Sequence, residues 1–249
     1  MTISCNIEHG IATCSFDCGK VNAFTRSDIQ ELETLIQKTD SLFPQTVRMM
    51  ILESSKISPK GFPIFCAGAD QKERVGWSNQ KILDHLKYQR AVIHRLRESP
   101  VCVVSCVNGL ALGLGTELCL ASDFVMASED SSFGFPEKTW GIIPGAGGYA
   151  WAHGWAPHPE KAQEYIESGK WFTREEAQWL GIVDIICDAD DFNTEIQYLL
   201  DVFCAMTPEE QLLRKKTHHE KIDYKFYFDE EQNAYEQKLI AKKSNQNLV

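Results

Sequence analysis

Along the 249-residue chain, apolar and polar positions alternate or cluster with a period that changes from segment to segment. Residues 3–9 and 11–16 alternate or run apolar around His9-Gly10, which predicts an opening β-hairpin. Residues 17–24 form a loop, and from Thr25 to Thr39 the apolar positions Ile29, Leu32, Leu35 and Ile36 recur at helical spacing. The short apolar run Val47–Leu52 predicts a buried strand, followed by a polar loop over 54–62 and a turn-forming Ala67-Gly68-Ala69-Asp70. Lys72 to Asn79 reads as a loose segment. A second helix spans Gln80–Glu98 and stops at Pro100. Val101–Val107 is almost continuously apolar, as expected of a strand covered on both faces. Strand, helix, strand and helix in this order predict a parallel or mixed sheet with right-handed crossovers.

A helix opens near Gly113 and carries Leu114, Glu117, Leu118 and Ala121 on one face. Short strands follow at Phe124–Ala127 and 132–134, and Pro136–Ile143 leads into the turn Pro144-Gly145-Ala146-Gly147-Gly148. The remainder reads as helices over 160–168, 173–180 and 193–205. Another begins at the capping box Thr207-Pro208-Glu209-Glu210, and a last one runs near 229–243 before a polar tail. No sequence repeat is evident.

Composition narrows the classes. The chain is 43% hydrophobic and 24% charged, globular values that permit one domain or one and a half. A formal charge of −10 argues against a nucleic-acid surface, and no apolar run is long enough to span a membrane. Nine cysteines, odd in number and without a CxxC pair, read as small hydrophobes in a reducing cytoplasm, with no metal site. His218-His219, among lysines, reads as a solvated helix face.

Candidate chemistry concentrates in residues 107–148. Gly113-Leu114-Gly115 is not a dinucleotide motif, because position 118 is leucine, and the 144–148 turn lacks the ending of a phosphate loop. Glu117 lies on an apolar helix face. An acid there gains roughly 0.3–1 kcal/mol from the helix dipole, less than its desolvation costs unless it is neutral or hydrogen-bonded. Glu137 follows Phe135-Pro136, twenty residues further on.

Three motifs, in order, resemble the enoyl-CoA hydratase/isomerase (crotonase) family. They are Phe65-Cys66-Ala67-Gly68-Ala69-Asp70; Asn108-Gly109-x-Ala111-x-Gly113-x-Gly115-x-Glu117-Leu118; and Phe133-Gly134-x-Pro136-Glu137 running on to Gly141-x-x-Pro144-Gly145-x-Gly147-Gly148. The resemblance covers roughly 9–188 and implies an α/β fold, a crotonase-like spiral of ββα units. Its core would span residues 1–190, and a C-terminal helical region, 191–249, would close the site and join subunits into a homotrimer or hexamer. It further implies an acyl-CoA thioester substrate, with coenzyme A part of the substrate and no separate cofactor. An oxyanion hole would form from the N–H groups of Ala67 and Leu114, and a helix start suits that task because its N–H groups are unpaired. Glu117 would activate a water for attack at C3, and Glu137 would deliver a proton to C2. Lys20, Ala23, Cys66, Gly68, Ala69, Asp70, Lys72, Trp77, Gly113 and Trp140 would contact substrate, the two lysines at its phosphate end and the two tryptophans as acyl-pocket walls. Leu114 stands where many members have glycine and would crowd that pocket. An isomerase needs only an acid near position 137, and a noncatalytic acyl-CoA binder needs neither. Both acids together favour hydration.

Overall fold

A computed structural model describes residues 2–219 and 222–246, without the side chains of 217–219 and 243–246; the side chains of His218-His219 and the end of the tail, 247–249, therefore lie outside what is described. The chain opens with the antiparallel hairpin β1 (Ile3–Glu8) and β2 (Ile11–Phe16), in register Ile3↔Phe16 to Glu8↔Ile11. A short β3 (Ala23–Phe24) leads to α1 (Arg26–Leu42), where Thr25 and Asp28 close a capping box. That box places Asp28 on the N3 amide side and sets the helix start one residue after the threonine.

From here the chain coils in a repeating order. One strand enters a large sheet, the next enters a second sheet at its side, and a helix returns the chain to begin again. The first coil is β4 (Met49–Glu53), β5 (Ile64–Cys66), the two-residue β6 (Gly68–Ala69) and α2 (Asn79–Glu98). The second is β7 (Cys102–Val107), β8 (Leu110–Leu112) and α3 (Leu114–Ala121). The third is β9 (Phe124–Ala127), β10 (Ser132–Gly134) and a 3-10 turn over Pro136–Trp140, followed by α4 (Gly148–Gly154) and α5 (Pro159–Ser168). Then β11 (Trp171–Thr173), α6 (Arg174–Trp179) and β12 (Ile185–Ile186) complete the sheets. The large sheet runs β1-β2-β4-β7-β9-β12, parallel from β2 onward; the smaller runs β11-β10-β8-β5, and β3 pairs with β6. The repeat is structural: no sequence period announces it, because each coil differs in loop length.

Three helices follow: α7 (Phe192–Ala205), α8 (Pro208–His219) and α9 (Tyr224–Gln246). Strand alternation explains why α7 is needed. Met50, Leu52, Val103 and Val107 point into the main core, whereas Met49, Ile51, Cys102, Val104 and Cys106 point to the opposite face. On that face they meet Phe192, Ile196, Leu199, Leu200 and Phe203 of α7. Both sides of β7 are thus buried, as its unbroken apolar run requires. The capping box at α8 forms as its sequence predicts, with Thr207 N–H donating to Glu210 Oε2 (2.7 Å) and Glu210 N–H to Thr207 Oγ1 (3.2 Å).

Two expectations change. The last helix starts at Tyr224, five residues before the sequence pattern places it, because Asp223 caps it by accepting from the Phe226 N–H (3.0 Å) and Tyr224 and Phe228 pack against His94. The segment 72–79 is not loose throughout. Its turns bury Arg74, which donates from Nη2 to Gln89 Oε1 (3.1 Å). Among the described residues no helix is long and apolar enough to cross a membrane.

The α7 seam yields a stability prediction. Phe203, 2% exposed and edge-on to Phe124, should cost about 3–5 kcal/mol when cut to alanine. Tyr198, 64% exposed on the same helix, should change stability by no more than about 0.5 kcal/mol when treated likewise. Urea unfolding of the two variants separates a seam that holds the sheet from one that merely covers it.

Candidate active site

The second coil delivers the first acid. Gly113 adopts φ +53°, and a Cβ there would stand 2.4 Å from Glu137 Oε1, so a side chain would strike the carboxylate. Gly115 is pressed on the Cys66 carbonyl, which lets α3 sit tightly against β5. Glu117, the fourth residue of α3, is 2% exposed. Its Oε1 accepts from the Ala146 N–H (2.7 Å) and the Gly148 N–H (3.0 Å), the amides with which the glycine turn enters α4. Two charge-assisted bonds of this kind are what a buried carboxylate needs.

Glu137 sits in the first turn of the 3-10 segment, after Pro136. Its Oε2 is shielded from water and has no hydrogen-bond partner, a costly condition for an ionised carboxylate. Both acids hold their protons more tightly than an exposed glutamate. Burial pushes Glu117 up to about 7, with the nearby Glu231 adding and the two amides opposing. Burial, and then the charge of Glu117, pushes Glu137 up to about 8, with Arg74 opposing. The acid with two amide donors is therefore the easier to ionise, and the one without a partner the easier to keep protonated.

A groove of about 640 Å³ lies outside these acids. Lys20, Ala23, Ala67, Ala69, Asp70, Lys72 and Trp140 all line it, so one surface gathers most of the residues expected to contact substrate. Asn22 stands between Val21 and Ala23, which line the groove, but is not itself a lining residue. Fully buried with φ +50°, it accepts from the Cys18 N–H (2.8 Å) and donates to Ser54 Oγ (2.7 Å) and the Phe65 carbonyl (3.0 Å). The turns at 67–69 and 113–114 meet, since a Cβ at Gly68 would stand 3.1 Å from the Leu112 carbonyl and 3.8 Å from the Leu114 nitrogen.

Other expectations need correction. Cys66 is fully buried beneath the turn, accepting at Sγ from the Gly68 N–H (3.4 Å), and does not line the groove. Leu114 turns its side chain into the main core, at 1% exposure, rather than toward an acyl pocket. Trp77 is likewise absent from the groove; it stands edge-on to His85, with Lys81 Nζ 4.1 Å above its ring. The Ala67 N–H is already donated to the Val21 and Asn22 carbonyls, 3.2 Å from each.

Sequence reading also missed four residues. Glu231, on α9, is fully buried and pairs with Arg90 of α2 (Nε to Oε1, 2.7 Å). Tyr235, 2% exposed one turn further on, lies within charge reach of Arg74, Glu137 and Glu117. In sequence, Asp229-Glu230-Glu231 is an ordinary acidic run. Only Tyr235 four residues on, continuing an apolar face to Leu239, hints that one of these acids turns inward.

Two buried carboxyls beside a helix start, next to a groove lined by backbone-rich turns, are an arrangement suited to acid–base chemistry. The model of the enoyl-CoA hydratase/isomerase family matches residues 6–247, and the chain belongs to that family. YngF of Bacillus subtilis (strain 168), which carries the same hydratase/isomerase name, is 31% identical over 229 residues, covering 91% of this chain and 85% of its own. The enoyl-CoA isomerase/hydratase fer4 of Mycosarcoma maydis is 35% identical over 176 residues, 66% of this chain and 60% of its own. Among solved structures, an enoyl-CoA hydratase from Bacillus anthracis superposes with a TM-score of 0.78 at 26% identity, covering 97% of this chain and 92% of that one. The fold is accordingly the crotonase fold.

The protonation of Glu137 has a consequence for stability. Its proton is held more tightly in the folded chain, up to about 8 against an ordinary 4.5, so the folded state carries more protons across that window. Stability must then fall as pH rises through it. Glu137→Gln removes the slope: relative to the parent, the variant should gain stability between about pH 5 and about pH 8.5. Thermal unfolding at both pH values checks this, and an unchanged difference would mean that Glu137 is not held protonated.

Proposed function

We propose that the chain is an enoyl-CoA hydratase that adds water syn across the 2,3 double bond of an enoyl thioester. The observation that carries this reading is the pair Glu117 and Glu137, both pushed toward protonation but held by different environments. Glu117, with two amide donors, acts as the base. It removes a proton from a water lying between the two acids as the water oxygen attacks C3. Electron density moves through C2 to the thioester oxygen, and Glu137, protonated, donates to C2. Glu117 is left protonated and Glu137 ionised, and proton exchange through the next water restores them.

The developing oxyanion needs two donors. Leu114 supplies one, as the first residue of α3, where an N–H has no carbonyl one turn earlier. The second comes from the strand 67–69. Since Ala67 is committed to Val21 and Asn22 and the Asp70 N–H goes to the Phe24 carbonyl, we assign it to Ala69, whose N–H leaves the strand opposite to that of Asp70. Lys20 and Lys72, on the groove, are assigned to the phosphate end of the coenzyme. Assembly as a homotrimer or hexamer belongs to the same proposal; exposed Trp171 and Trp179 are apolar surface that such an assembly would cover.

Glu117→Gln and Glu137→Gln should each lower hydration by about 10²–10⁴-fold while leaving thioester binding intact. Loss of the conjugated enoyl chromophore follows the reaction. An isomerase needs no acid at 117, so Glu117→Gln with full double-bond migration and unchanged hydration would replace this reading with that one.

The lysines give a separate expectation. Against a net charge of −10, local positive groups must hold the coenzyme phosphates. Lys20→Ala combined with Lys72→Ala should weaken binding of a CoA thioester, most at low salt, and affect a pantetheine thioester less. Affinities measured for both ligands at two ionic strengths decide it; equal losses would remove the lysines from the phosphate site.

A further inference from the structure

We infer that Glu231 and its partner Arg90 form a positioning pair, which holds the amides feeding Glu117 in place and sets the charge felt by that base. The inference rests on the reading of Glu117 as the base of the reaction. Its starting point is how the turn into α4 distributes its N–H groups. Ala146 and Gly148 donate to Glu117 Oε1. Gly147 donates to both oxygens of Glu231 (3.2 and 3.1 Å), and Ala150 donates to Glu231 Oε2 (3.0 Å). Successive amides thus alternate between two carboxylates, one from α3 and one from α9. The alternation depends on Gly147 at φ +120° and on Gly148, where a Cβ would stand 2.7 Å from the Phe135 ring. A backbone pulled from both sides cannot shift toward one without loosening its bonds to the other.

Arg90 completes the device. Its Nε donates to Glu231 Oε1 (2.7 Å) and its Nη1 to Gln232 Oε1 (3.0 Å), which anchors α9 on α2. As a plain stabilising contact the pair is poor, because burying both charges costs several kcal/mol per ion and apolar residues of similar volume often do as well. Its placement beside a second buried carboxylate gives it another use. Glu231 is one of the groups that raise the proton affinity of Glu117, and Arg90 is one that lowers it. Other ionisable groups that face this cluster are Glu137 from the 3-10 turn, Tyr149 from α4, Cys66 from β5, Tyr235 from α9 itself, and Arg74 beside Tyr235. Among the described residues none of these accepts from the turn amides that alternate with those holding Glu117, as Glu231 does from Gly147 and Ala150.

The test is a carbon-13 carboxyl NMR titration of Glu117 in the full-length chain, alongside the pH profile of enoyl-CoA hydration. Glu231→Gln should move the Glu117 midpoint down by about half a pH unit or more, since a like charge is lost and Arg90 is left unneutralised. Arg90→Gln should move it up. In both, kcat should fall at least about tenfold with KM changing less than about threefold, because the bound ligand is untouched. Should Glu231→Gln fail to fold, Arg90→Lys carries the test: it keeps the charge but loses the fork. A drop in kcat with the Glu117 midpoint kept supports the pair, whereas wild-type kcat overturns it. A Glu117 midpoint unmoved in folded Glu231→Gln likewise overturns the inference, whatever the activity. The titration needs no substrate. A shifted midpoint in a protein that hydrates nothing would sustain the pair and sink the hydratase assignment; normal hydration with an unmoved midpoint would do the reverse.

Discussion

A carboxylate can be buried only where donors are waiting for it, and in this protein the donors are the amides of one five-residue turn, 146–150. That constraint reaches through the structure. It requires glycine at 147 for the backbone path and at 148 for clearance, and it fixes α4 relative to α3 because Glu117 must reach across. It also draws the C-terminal helix inward, since Glu231 takes the amides that Glu117 leaves. Without α9, Gly147 and Ala150 would lose a buried acceptor, and a backbone N–H without a partner costs as much as a broken hydrogen bond.

The coil supplies the other half of the arrangement. Strands of the smaller sheet end beside one another, so the turns that leave β5 and β8 meet at Gly68 and Leu114. A helix starts there, and its unpaired N–H groups favour negative charge. Three acids, Glu117, Glu137 and Glu231, and two arginines, Arg74 and Arg90, then share a region almost closed to water. In such a place proton affinity follows burial, the neighbouring charges and which oxygen has a donor, and the two candidate catalytic acids differ in the last of these. The contrast between a doubly bonded Glu117 and an unpartnered Glu137 Oε2 supports the division into base and acid.

Much of the fold is legible in the chain because it is local. The opening hairpin follows from alternation around His9-Gly10, and the starts of α1 and α8 from the side chains at Thr25 and Thr207 that satisfy the first free amides. The burial of β7 on both faces follows from its unbroken apolar run. The acids at 117 and 137 stand out for a similar reason, as charge on an apolar face and charge after a Phe-Pro pair, inside motifs shared with a family.

Only the tertiary structure decided which polar residues leave the surface. Arg74 lies in a segment that reads as a solvated loop, and Glu231 in an acidic run like any exposed helix face; both are buried because distant elements bring them partners, Gln89 and Tyr235 for one, Arg90 and the 147–150 amides for the other. Ala67 and Ala69 are alike in sequence, and only pairing with the segment Val21–Phe24 shows which N–H is already taken. Hydrophobic period and capping are written in neighbouring residues, so the sequence by itself determined the elements and the family. The cost of burying a charge is set by groups on other elements, from 15 to 141 positions away in the chain, and no local pattern records them.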